Sequence, residues 1–505
     1  MRDKVISAAT AATLIKSGAT VAVTGSGGGL VEPDAVFEAI EQRFLETQEP
    51  ANLTLVHALG LGDRDRRGTN RFAHDGMVRK VIGGHWTWSP RMQVLARSNR
   101  IEAYSLPGGV IGHLLREIGA GRPGLITHVG LGTFVDPRFG GGRMNEAARE
   151  ELMELMTLDG QEYLRYKPFP VDVAIIRGTY ADPAGNISLE DEPADLDGYA
   201  VALAAHNSGG IVIAQVRELV PPGTIAPRSV GIPGVLVNAV VVVPEQMQTY
   251  RAVFDRTLVS HCGTNRKSPT VLDAAKRVIA RRAALELRDG ATLNFGFGAS
   301  AQVASMIAER GERANYWMTI EQGIHGGDMI DDDLFGMAHH PDVIIDSPSQ
   351  FDFYSGGGLD TAFLGMAEMD AQGNVNVSRL NGNVNGPGGF IDISQSAKQV
   401  VFCGTFDAKG TEVAVGGGQV RVVQQGRIRK LVQSVAHITF SGDQARKRGQ
   451  RVLYVTERAT FELKDDGIEL IEVAPGIDVQ RDVLDQMDFA PIVRDVGSYK
   501  AGVVE

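Results

Sequence analysis

The pattern of apolar and polar positions predicts a β-loop-α unit at the start of the chain. Residues Ser7 to Lys16 form a helix-like stretch, and the short apolar run Ala19 to Val23 is typical of a buried strand. The glycine-rich stretch Gly25 to Gly29 follows, and a further helix is predicted from Pro33. A glycine-rich turn between a strand and a helix can hold an anion, because its amides point outward. It is equally compatible with a tight turn that binds nothing.

A comparable series of elements returns in the second half of the chain. The run Gly290 to Phe295 has the pattern of a strand, Gly296 to Ala299 that of a glycine-rich turn, and Ala301 to Glu309 that of an amphipathic helix. The Asp-x-x-Gly-Asn turn at Asp182 to Asn186 is likewise repeated at Asp370 to Asn374. We therefore predict an α/β fold of two homologous halves, each an open domain with a mostly parallel sheet. Chance similarity between short glycine motifs is the alternative.

The predicted boundaries follow from where periodicity is lost. The N-terminal half is assigned to residues 1–243, with extra residues near 60–151, because the repeated elements are further apart at the start of the chain. Residues 244–269 show little periodicity and are interpreted as a linker. The C-terminal half is assigned to residues 270–505, which open with a strongly helical pattern.

Composition and charge limit the classes of function. The chain has 505 residues, of which 43% are hydrophobic and 22% are charged, the balance of a globular protein large enough for two cores. A formal net charge of −11 disfavours nucleic acid as the main partner, since phosphate backbones are bound by concentrated Lys and Arg. The sequence has neither a signal-peptide pattern nor an apolar run of about 20 residues. We therefore expect a cytoplasmic protein without a membrane partner.

The cysteine and glycine contents refine this picture. Cys262 and Cys403 are the two cysteines, and they are far apart without ligand-like spacing. We therefore predict neither a disulfide framework nor a metal site. The 61 glycines exceed average usage and predict glycine-lined loops that approach a ligand closely.

One segment combines an acidic residue with the position that α/β folds use for ligands. The run Trp317 to Gly327 predicts a strand that ends at Glu321 and continues into a glycine-rich turn. From this segment alone, a solvated turn glutamate is favoured over a functional one. The clusters Ser355 to Gly358 and Gly386 to Gly389 fit a ligand-binding loop and a tight turn equally well.

Two other kinds of site fit the sequence poorly. The loop that begins at Gly25 has Leu30 where the dinucleotide fingerprint requires glycine, which disfavours a nicotinamide oxidoreductase. His325 shows no ligand spacing with His339 or His340, so a histidine at the surface or one that only supports neighbouring residues is favoured over a metal ligand.

Taken together, stretches across nearly the whole chain resemble the family I coenzyme A transferases, in particular the fused single-chain type that includes acetate and propionate CoA-transferases. The stretches that carry this resemblance are Gly130 to Arg138, Phe351 to Asp360, Gly386 to Asp392 and the motif Glu321-Gln322-Gly323. In this family the glutamate of a Glu-x-Gly motif is the nucleophile. The resemblance therefore reverses the interpretation of Glu321 as a solvated residue and implies that it is catalytic.

The resemblance also implies which glycine-rich loops bind substrate. The residues implied to contact coenzyme A or the acyl oxygen are Asn294, Gly296, Gly298, Gly388 and Gly389. Those implied to line the site from the other half are Gly27, Gly28 and Gly29. Coenzyme A is then a substrate rather than a permanently bound cofactor, and no metal is implied. A homodimer or homotetramer is the implied assembly.

Two departures from the family pattern leave specificity open. Similar enzymes usually carry a glutamine at the position of Gly108, and Pro or Ile where His325 stands. The glutamine helps to hold the acyl oxygen, so one polar contact is missing here. The parts that Trp88, Gly108, Ile324 and His325 play in substrate choice therefore stay open.

The activity implied by the resemblance is transfer of CoA from a short-chain acyl-CoA to a free carboxylate such as acetate or propionate. A carboxylate nucleophile predicts ping-pong kinetics through a glutamyl-CoA thioester. One alternative is a CoA-thioester hydrolase on the same fold, in which the glutamate activates water. The other is a non-catalytic CoA-binding protein.

Overall fold

The computed structural model describes residues 4–261, 273–331 and 333–504. Its α-helices are α1 (Ala8–Thr13), α2 (Asp34–Thr47), α3 (Pro90–Arg97), α4 (Gly108–Gly119), α5 (Gly198–Asn207), α6 (Ala274–Ala283), α7 (Ala301–Glu309), α8 (Ser347–Ser355), α9 (Phe390–Ser396) and α10 (Gly442–Lys447). The first strands are β1 (Thr20–Val23), β2 (Leu53–His57), β3 (Val78–Gly83), β4 (Glu102–Ser105), β5 (Leu125–Thr127), β6 (Met153–Leu158), β7 (Gln161–Tyr166), β8 (Val173–Ala181), β9 (Ile187–Ser188), β10 (Ile211–Leu219), β11 (Val230–Ile232) and β12 (Ala239–Val242).

The remaining strands belong to the second part of the chain. They are β13 (Thr292–Phe295), β14 (Trp317–Ile320), β15 (Ile324–His325), β16 (Asp328–Met329), β17 (Ala338–His339), β18 (Val343–Ile344), β19 (Thr361–Gly365), β20 (Glu368–Asp370), β21 (Val375–Asn376), β22 (Arg379–Leu380), β23 (Asn383–Val384), β24 (Gln399–Cys403), β25 (Asp407–Ala408), β26 (Glu412–Gly416), β27 (Gln419–Gln424), β28 (Ile428–Arg429), β29 (Leu431–Val432), β30 (Arg451–Val455), β31 (Ala459–Lys464), β32 (Gly467–Val473) and β33 (Ile492–Ser498).

The chain divides into two compact units, and neither is a single continuous segment. The first unit consists of Met1–Cys262, Glu321–Asp352 and Asn381–Asp392. The second unit consists of Gly263–Ile320, Phe353–Leu380 and Ile393–Glu505. The predicted halves with the boundaries 1–243, 244–269 and 270–505 stay a prediction. Cys262 and the end of the predicted linker lie outside the described residues.

The sheet of the first unit places several loops at one edge. Its strand order is β11-β9-β8-β1-β2-β3-β4, with β10 beside β8 and β12 beside β10. Strands β8, β1, β2, β3 and β4 run parallel to one another in that order, and only the pairs that involve β9 are antiparallel. The last residues of β2, β3 and β4, which are His57, Gly83 and Ser105, stand in register. The loops that follow β1 to β4 therefore begin side by side.

Local sequence accounts for the elements at the start of this unit. The side chain of Ser7 accepts a hydrogen bond from the amide of Thr10 at 3.1 Å and so caps α1 at its N-terminus. Val21 to Val23 are fully buried in β1, as β-branched residues in a central strand usually are. Helix α2 then buries one face, from Val36 to Phe44, in the core.

The second unit contains its own mostly parallel sheet. Its strand order is β14-β13-β19-β24-β30-β31-β32-β33, and the strands from β14 to β30 are parallel. All five residues of β24 are buried, as in a strand covered on both faces. Helix α7 confirms the amphipathic helix predicted for Ala301 to Glu309. The predicted mostly parallel α/β fold is confirmed.

Among the described residues, none of the helices has both the length and the apolar character needed to cross a bilayer.

Candidate functional site

Glu321 is the first residue after strand β14, as the sequence pattern predicted. Its side chain is half-buried. The turn that follows is tight, since Gly323 has φ +95 and a Cβ there would overlap the carbonyl oxygen of Ile345. A residue other than glycine would be strained at this φ and would also collide with backbone. The glycine of the Glu-x-Gly motif is therefore explained by backbone geometry.

Gly389 brings the main chain against the Glu321 carboxylate. Its amide donates a hydrogen bond to Glu321. A Cβ on Gly389 would overlap Oε2 of Glu321 and would lie 2.9 Å from Cε1 of Phe351. Only glycine permits this close approach of the main chain to the carboxylate.

Backbone hydrogen bonds fix the neighbouring Gly388 between two loops of the parallel sheet. The Gly388 amide donates to the carbonyl of Gly84 at 2.8 Å, just after β3. The Gly388 carbonyl accepts from the amide of Gly108 at 2.7 Å, at the start of α4. The amide of Trp86 donates to the carbonyl of Asn385 at 2.8 Å and extends the contact. The segment that carries Gly388 and Gly389 is thus held by main-chain bonds rather than by side chains.

Burial and a second carboxyl group raise the pKa of Glu321. Burial and the nearby Asp392 raise the pKa of Glu321 to about 7, while the hydrogen bond from Gly389 opposes the shift. Burial likewise raises the pKa of Asp392 to about 7, and His113 and the Gly109 amide oppose that shift. A negative charge on Asp392 therefore disfavours ionisation of Glu321.

Asp392 is enclosed more completely than Glu321. Only 1% of Asp392 is exposed, and Oδ2 accepts a hydrogen bond from the Gly109 amide at 3.3 Å. Oδ1 has no hydrogen-bond partner in the part of the chain that the structure describes. The ring of Phe351 lies 2.6 Å from the Cβ position of Gly109 and 2.9 Å from that of Gly389, so an apolar surface borders both carboxyl groups. The local environment therefore favours the neutral form of Asp392.

The predicted loop Gly27 to Gly29 is a tight turn, with Gly28 at a positive φ, and larger side chains pack against it. A Cβ on Gly27 would overlap the indole of Trp88, and one on Gly29 would lie 2.7 Å from Cδ1 of Tyr250. The Tyr250 amide donates to the carbonyl of Gly28 at 2.8 Å. Two aromatic side chains therefore pack directly on the glycine backbone of this loop.

Buried polar groups hold the same loop from behind. Glu32 accepts hydrogen bonds from the Gly62 amide at 2.8 Å and from the Tyr250 hydroxyl at 2.5 Å, and burial raises its pKa to about 8. Arg177 donates to the carbonyls of Gly29 at 3.4 Å and Glu32 at 3.2 Å. This arginine is also paired with the buried carboxylate of Glu192 at 2.9 Å. The loop is thus preorganised by partners that are themselves satisfied.

The close packing around Gly28 leads to a stability prediction. Gly28 has φ +79, and a Cβ there would overlap the carbonyl oxygen of Asp333 and lie 3.1 Å from Cδ2 of Leu334. Gly121 has φ +66 but would meet no atom within 4 Å. Both alanine variants carry the cost of a positive φ, and only Gly28→Ala adds a collision. We expect Gly28→Ala to lower the free energy of unfolding by about 1–3 kcal/mol more than Gly121→Ala.

Urea denaturation followed by circular dichroism measures this difference, with Gly121→Ala as the matched control. Equal losses in the two variants would contradict the tight packing of the loop.

The three remaining predicted site residues lie in the second unit. Asn294 is buried, and its side-chain amide donates to the carbonyl of Thr319 and to the hydroxyl of Tyr354, both at 3.2 Å. The Gly296 amide donates to the carbonyl of Phe363 at 2.8 Å. Gly298 has φ +89 and open space on its Cβ side. The structure thus brings Glu321, Gly388 and Gly389 together in the first unit, where Gly27 to Gly29 also lie. It places Asn294, Gly296 and Gly298 in the second unit.

Sequence reasoning missed two polar residues of this site. Asp392 lies in a stretch that carried the family resemblance, but nothing in its spacing links it to Glu321. His85 lies beside Gly388, as described below, and its sequence neighbourhood contains no spacing that predicts this contact. A search of the described residues finds no group of three or more His, Cys, Asp or Glu side chains placed to hold a metal ion.

Comparison with known proteins places this geometry in context. Residues 5–243 match the family described as "Coenzyme A transferase". The chain is 43% identical over 495 residues to acetate CoA-transferase YdiF of Escherichia coli O157:H7, covering 97% of this chain and 93% of that protein. It is 45% identical over 500 residues to caffeate CoA-transferase of Acetobacterium woodii, covering 97% of this chain and 95% of that protein.

A solved structure agrees with the sequence comparison. The crystal structure of the acyl-CoA transferase YdiF from Escherichia coli O157:H7, in a thioester complex with CoA, superposes with a TM-score of 0.94 at 41% identity. The match covers 100% of this chain and 96% of that one.

Proposed function

Because the chain belongs to the coenzyme A transferase family, we propose that it moves CoA from a short-chain acyl-CoA to a free carboxylate, with Glu321 as the covalent carrier. The observation that supports this role is the contact of the Glu321 carboxylate with the Gly389 amide, in surroundings that raise the pKa of the carboxyl group to about 7. A nucleophile with a pKa near the working pH is both reactive and ionised in part. The names of two relatives, acetate CoA-transferase and caffeate CoA-transferase, make acetate and caffeate the first acceptors to test.

The proposed reaction conserves the energy of the thioester. The Glu321 carboxylate attacks the thioester carbonyl carbon and forms a C–O bond, while the carbonyl electrons move to the oxygen. Collapse of this oxyanion breaks the C–S bond, releases the CoA thiolate and leaves a mixed anhydride. The thiolate then attacks the glutamyl carbonyl carbon and expels the free carboxylate, which leaves a glutamyl-CoA thioester. An incoming carboxylate reverses these steps, and no net proton transfer is needed.

The site offers the two features that this reaction requires. Each tetrahedral oxyanion needs N–H donors, and removal of one such donor in other enzymes slows the reaction by about 10²–10³-fold. Gly389 supplies a donor on the Glu321 side, and the Phe351 ring keeps an apolar surface against the carboxyl group. Exclusion of water protects the glutamyl thioester from hydrolysis. These two features support Glu321 as a carrier that retains CoA.

The experiment that tests this function is intact-protein mass spectrometry after mixing with acetyl-CoA or propionyl-CoA in the absence of an acceptor. We expect a CoA-sized adduct that disappears when acetate or caffeate is added. Release of free CoA at a steady rate without an adduct would instead identify a thioester hydrolase. Binding of CoA without either reaction would identify a non-catalytic CoA-binding protein.

The substrate and assembly details extend this proposal. Coenzyme A acts as a substrate that is exchanged in each turnover, so we expect the purified protein to carry no stoichiometric CoA. The family resemblance supports a homodimer or homotetramer. Light scattering coupled to size-exclusion chromatography distinguishes these two states.

The two carboxyl groups predict a specific pH dependence. Only the ionised form of Glu321 attacks, so kcat/KM for acyl-CoA is expected to rise with pH through about 7 and to level off above it. Asp392→Asn removes the like charge that helps to raise the pKa of Glu321, so the acidic limb of the profile moves to lower pH. Because Asp392 is itself neutral well below pH 7 and Glu321 is ionised well above it, the ratio of variant to wild-type kcat/KM should be largest near pH 7 and should fall at pH 8.5.

The control for this profile is Asp488→Asn, which removes a carboxylate that is paired with Arg429 in the second unit. Its profile should superimpose on that of the wild type. An unmoved acidic limb in Asp392→Asn would show that the two carboxyl groups are not coupled.

A further inference from the structure

A gap beside Gly388 separates the Glu321 carboxylate from the imidazole of His85. A Cβ on Gly388 would lie 3.9 Å from Oε1 of Glu321 and 3.8 Å from Cδ2 of His85, and it would meet no closer atom of the described residues outside its own chain neighbours. Gly389, next in the chain, has no such room, because a Cβ there would overlap Oε2 of Glu321. The missing side chain of Gly388 thus leaves room for a group about the size of a methyl, in van der Waals contact with one carboxylate and one imidazole.

The backbone on both sides of this gap is fixed. His85 follows Gly84, whose amide donates to the carbonyl of His57 at 3.0 Å and whose carbonyl accepts from Gly388 at 2.8 Å. Trp86, the next residue, donates its amide to the carbonyl of Asn385 at 2.8 Å. The residues on either side of His85 are therefore joined by main-chain hydrogen bonds to the segment 385–388, which keeps His85 beside Gly388.

The ring of His85 turns the edge with Cδ2 toward Gly388 and the edge with Nδ1 toward Gly60. Nδ1 of His85 lies 2.7 Å from the Cβ position of Gly60, on the side away from Gly388. The edge that faces Gly388 carries Cδ2, and Nε2 is bonded to that atom. The hydroxyl of Thr87 lies 3.3 Å from each ring nitrogen and is the one side-chain partner found for His85 among the described residues. A long contact shared between two nitrogens is a weak hydrogen bond, so Nε2, which is bonded to Cδ2, can exchange it for a shorter one to a ligand.

The surroundings keep this imidazole neutral. Burial lowers the pKa of His85 to about 4, and the neighbouring His57 and Arg64 contribute to the shift. Burial also lowers the pKa of His57 to about 4. At neutral pH His85 therefore carries one N–H donor and no charge that would pair with Glu321 and hold the carboxylate away from its substrate.

We propose that the acyl oxygen of the thioester occupies the gap beside Gly388 and that His85 donates a ring N–H to it. This inference rests on the proposed function, because it assigns a role in the attack by Glu321. As the C–O bond to Glu321 forms, the carbonyl electrons move to the acyl oxygen, and the hydrogen bond from Nε2 strengthens with the growing charge. When the C–S bond breaks, the electrons return to the carbonyl and the proton stays on His85 throughout. His85 is thus a catalytic residue that acts as a donor and not as a base.

The test is the rate of adduct formation in a single turnover, measured by rapid quench and intact-protein mass with saturating propionyl-CoA. In His85→Ala we expect the rate constant to fall by about 10²–10³-fold, the loss typical of one oxyanion donor, while the final amount of adduct equals that of the wild type. His85→Gln restores an N–H donor and should recover part of the loss. The Kd for CoA, measured by calorimetry, should stay within about twofold in both variants because the donor acts on the transition state.

The matched control is His74→Gln, since His74 is a half-buried histidine whose Nε2 contacts Glu41 at 2.8 Å. Its rate should equal that of the wild type. A wild-type rate in His85→Ala would overturn the role of His85 while leaving the proposed function intact, because the adduct still forms. Equal losses in His85→Ala and His85→Gln together with weaker CoA binding would overturn it as well, since a structural role would then account for the effect. A wild type that forms no adduct would overturn both the proposed function and this inference.

Discussion

Glu321→Ala is expected to lose the CoA adduct completely and to lower kcat/KM for CoA transfer by on the order of 10⁴-fold or more, the scale seen when a covalent nucleophile is removed. The physical reason is that the methyl group of alanine cannot form the acyl–oxygen bond from which the CoA thioester is made. Binding of CoA should change little, since most of that molecule is remote from the reacting carbon. Intact-protein mass and a steady-state assay with acetate as the acceptor measure the two effects.

Two further variants separate the chemistry of Glu321 from its shape. Glu321→Gln keeps the size of the side chain but removes the charge, so it should also form no adduct. Glu321→Asp keeps the carboxylate but withdraws it by one methylene. Misplacement of a reacting group by about 1 Å can lower the rate by about 10²-fold, so we expect this variant to form the adduct slowly. Glu309→Ala, which removes an exposed glutamate at the end of α7, is the control and should retain wild-type activity. An adduct of undiminished yield in Glu321→Ala would assign the carrier to another residue.

Local patterns predicted the elements of this fold well where apolar residues repeat without interruption. Strand β1 and helix α7 lie where the sequence placed them, because burial of their apolar residues agrees with their local preference. The turn at Gly27 to Gly29 was predicted as a loop, whereas the aromatic rings packed on it were not. Tyr250, one of those rings, lies within the segment interpreted as a linker, where the absence of periodicity gave no sign of a contact with Gly29.

The candidate site was less accessible to sequence reasoning because its contacts join distant segments. Glu321 alone is indistinguishable from a solvated turn residue, and the family resemblance was needed to favour a catalytic role. Asp392 and His85 reach this region through backbone hydrogen bonds among the segments around Gly84, Gly108 and Gly388. Such bonds do not depend on side-chain identity and therefore leave no pattern in the sequence. Physical proximity, and with it the raised pKa of the Glu321 carboxyl group, becomes visible only in the fold.

The two glycines beside Glu321, Gly388 and Gly389, differ in why a small residue is needed. Gly388 has φ +54, and a Cβ there would make only ordinary van der Waals contacts, so its small size leaves room for one small group. Gly389 has no open space, so its small size allows its own amide to reach the carboxylate. One glycine thus makes a cavity and the next makes a contact.

Gly389→Ala is accordingly expected to lower kcat/KM by at least about 10³-fold in a protein that still folds. The new methyl group would overlap Oε2 of Glu321 and press on the ring of Phe351, so the carboxylate must leave its position against the Gly389 amide. The variant therefore loses both the alignment of the nucleophile and one hydrogen-bond donor, each worth about 10²-fold or more in other enzymes. Steady-state kinetics and the rate of adduct formation measure the loss.

Gly416→Ala is the matched control, because a Cβ at Gly416 meets no atom within 4 Å and its φ lies outside the left-handed region. It should keep wild-type kinetics and stability. The Glu321 side chain is flexible, and its carboxylate is the atom group nearest to the new methyl. The collision in Gly389→Ala should therefore be relieved mainly by movement of the carboxylate, which lowers activity more than stability. A variant with normal activity would mean that the carboxylate does not need the Gly389 amide, and the oxyanion donors would then have to come from the His85 side of the gap alone.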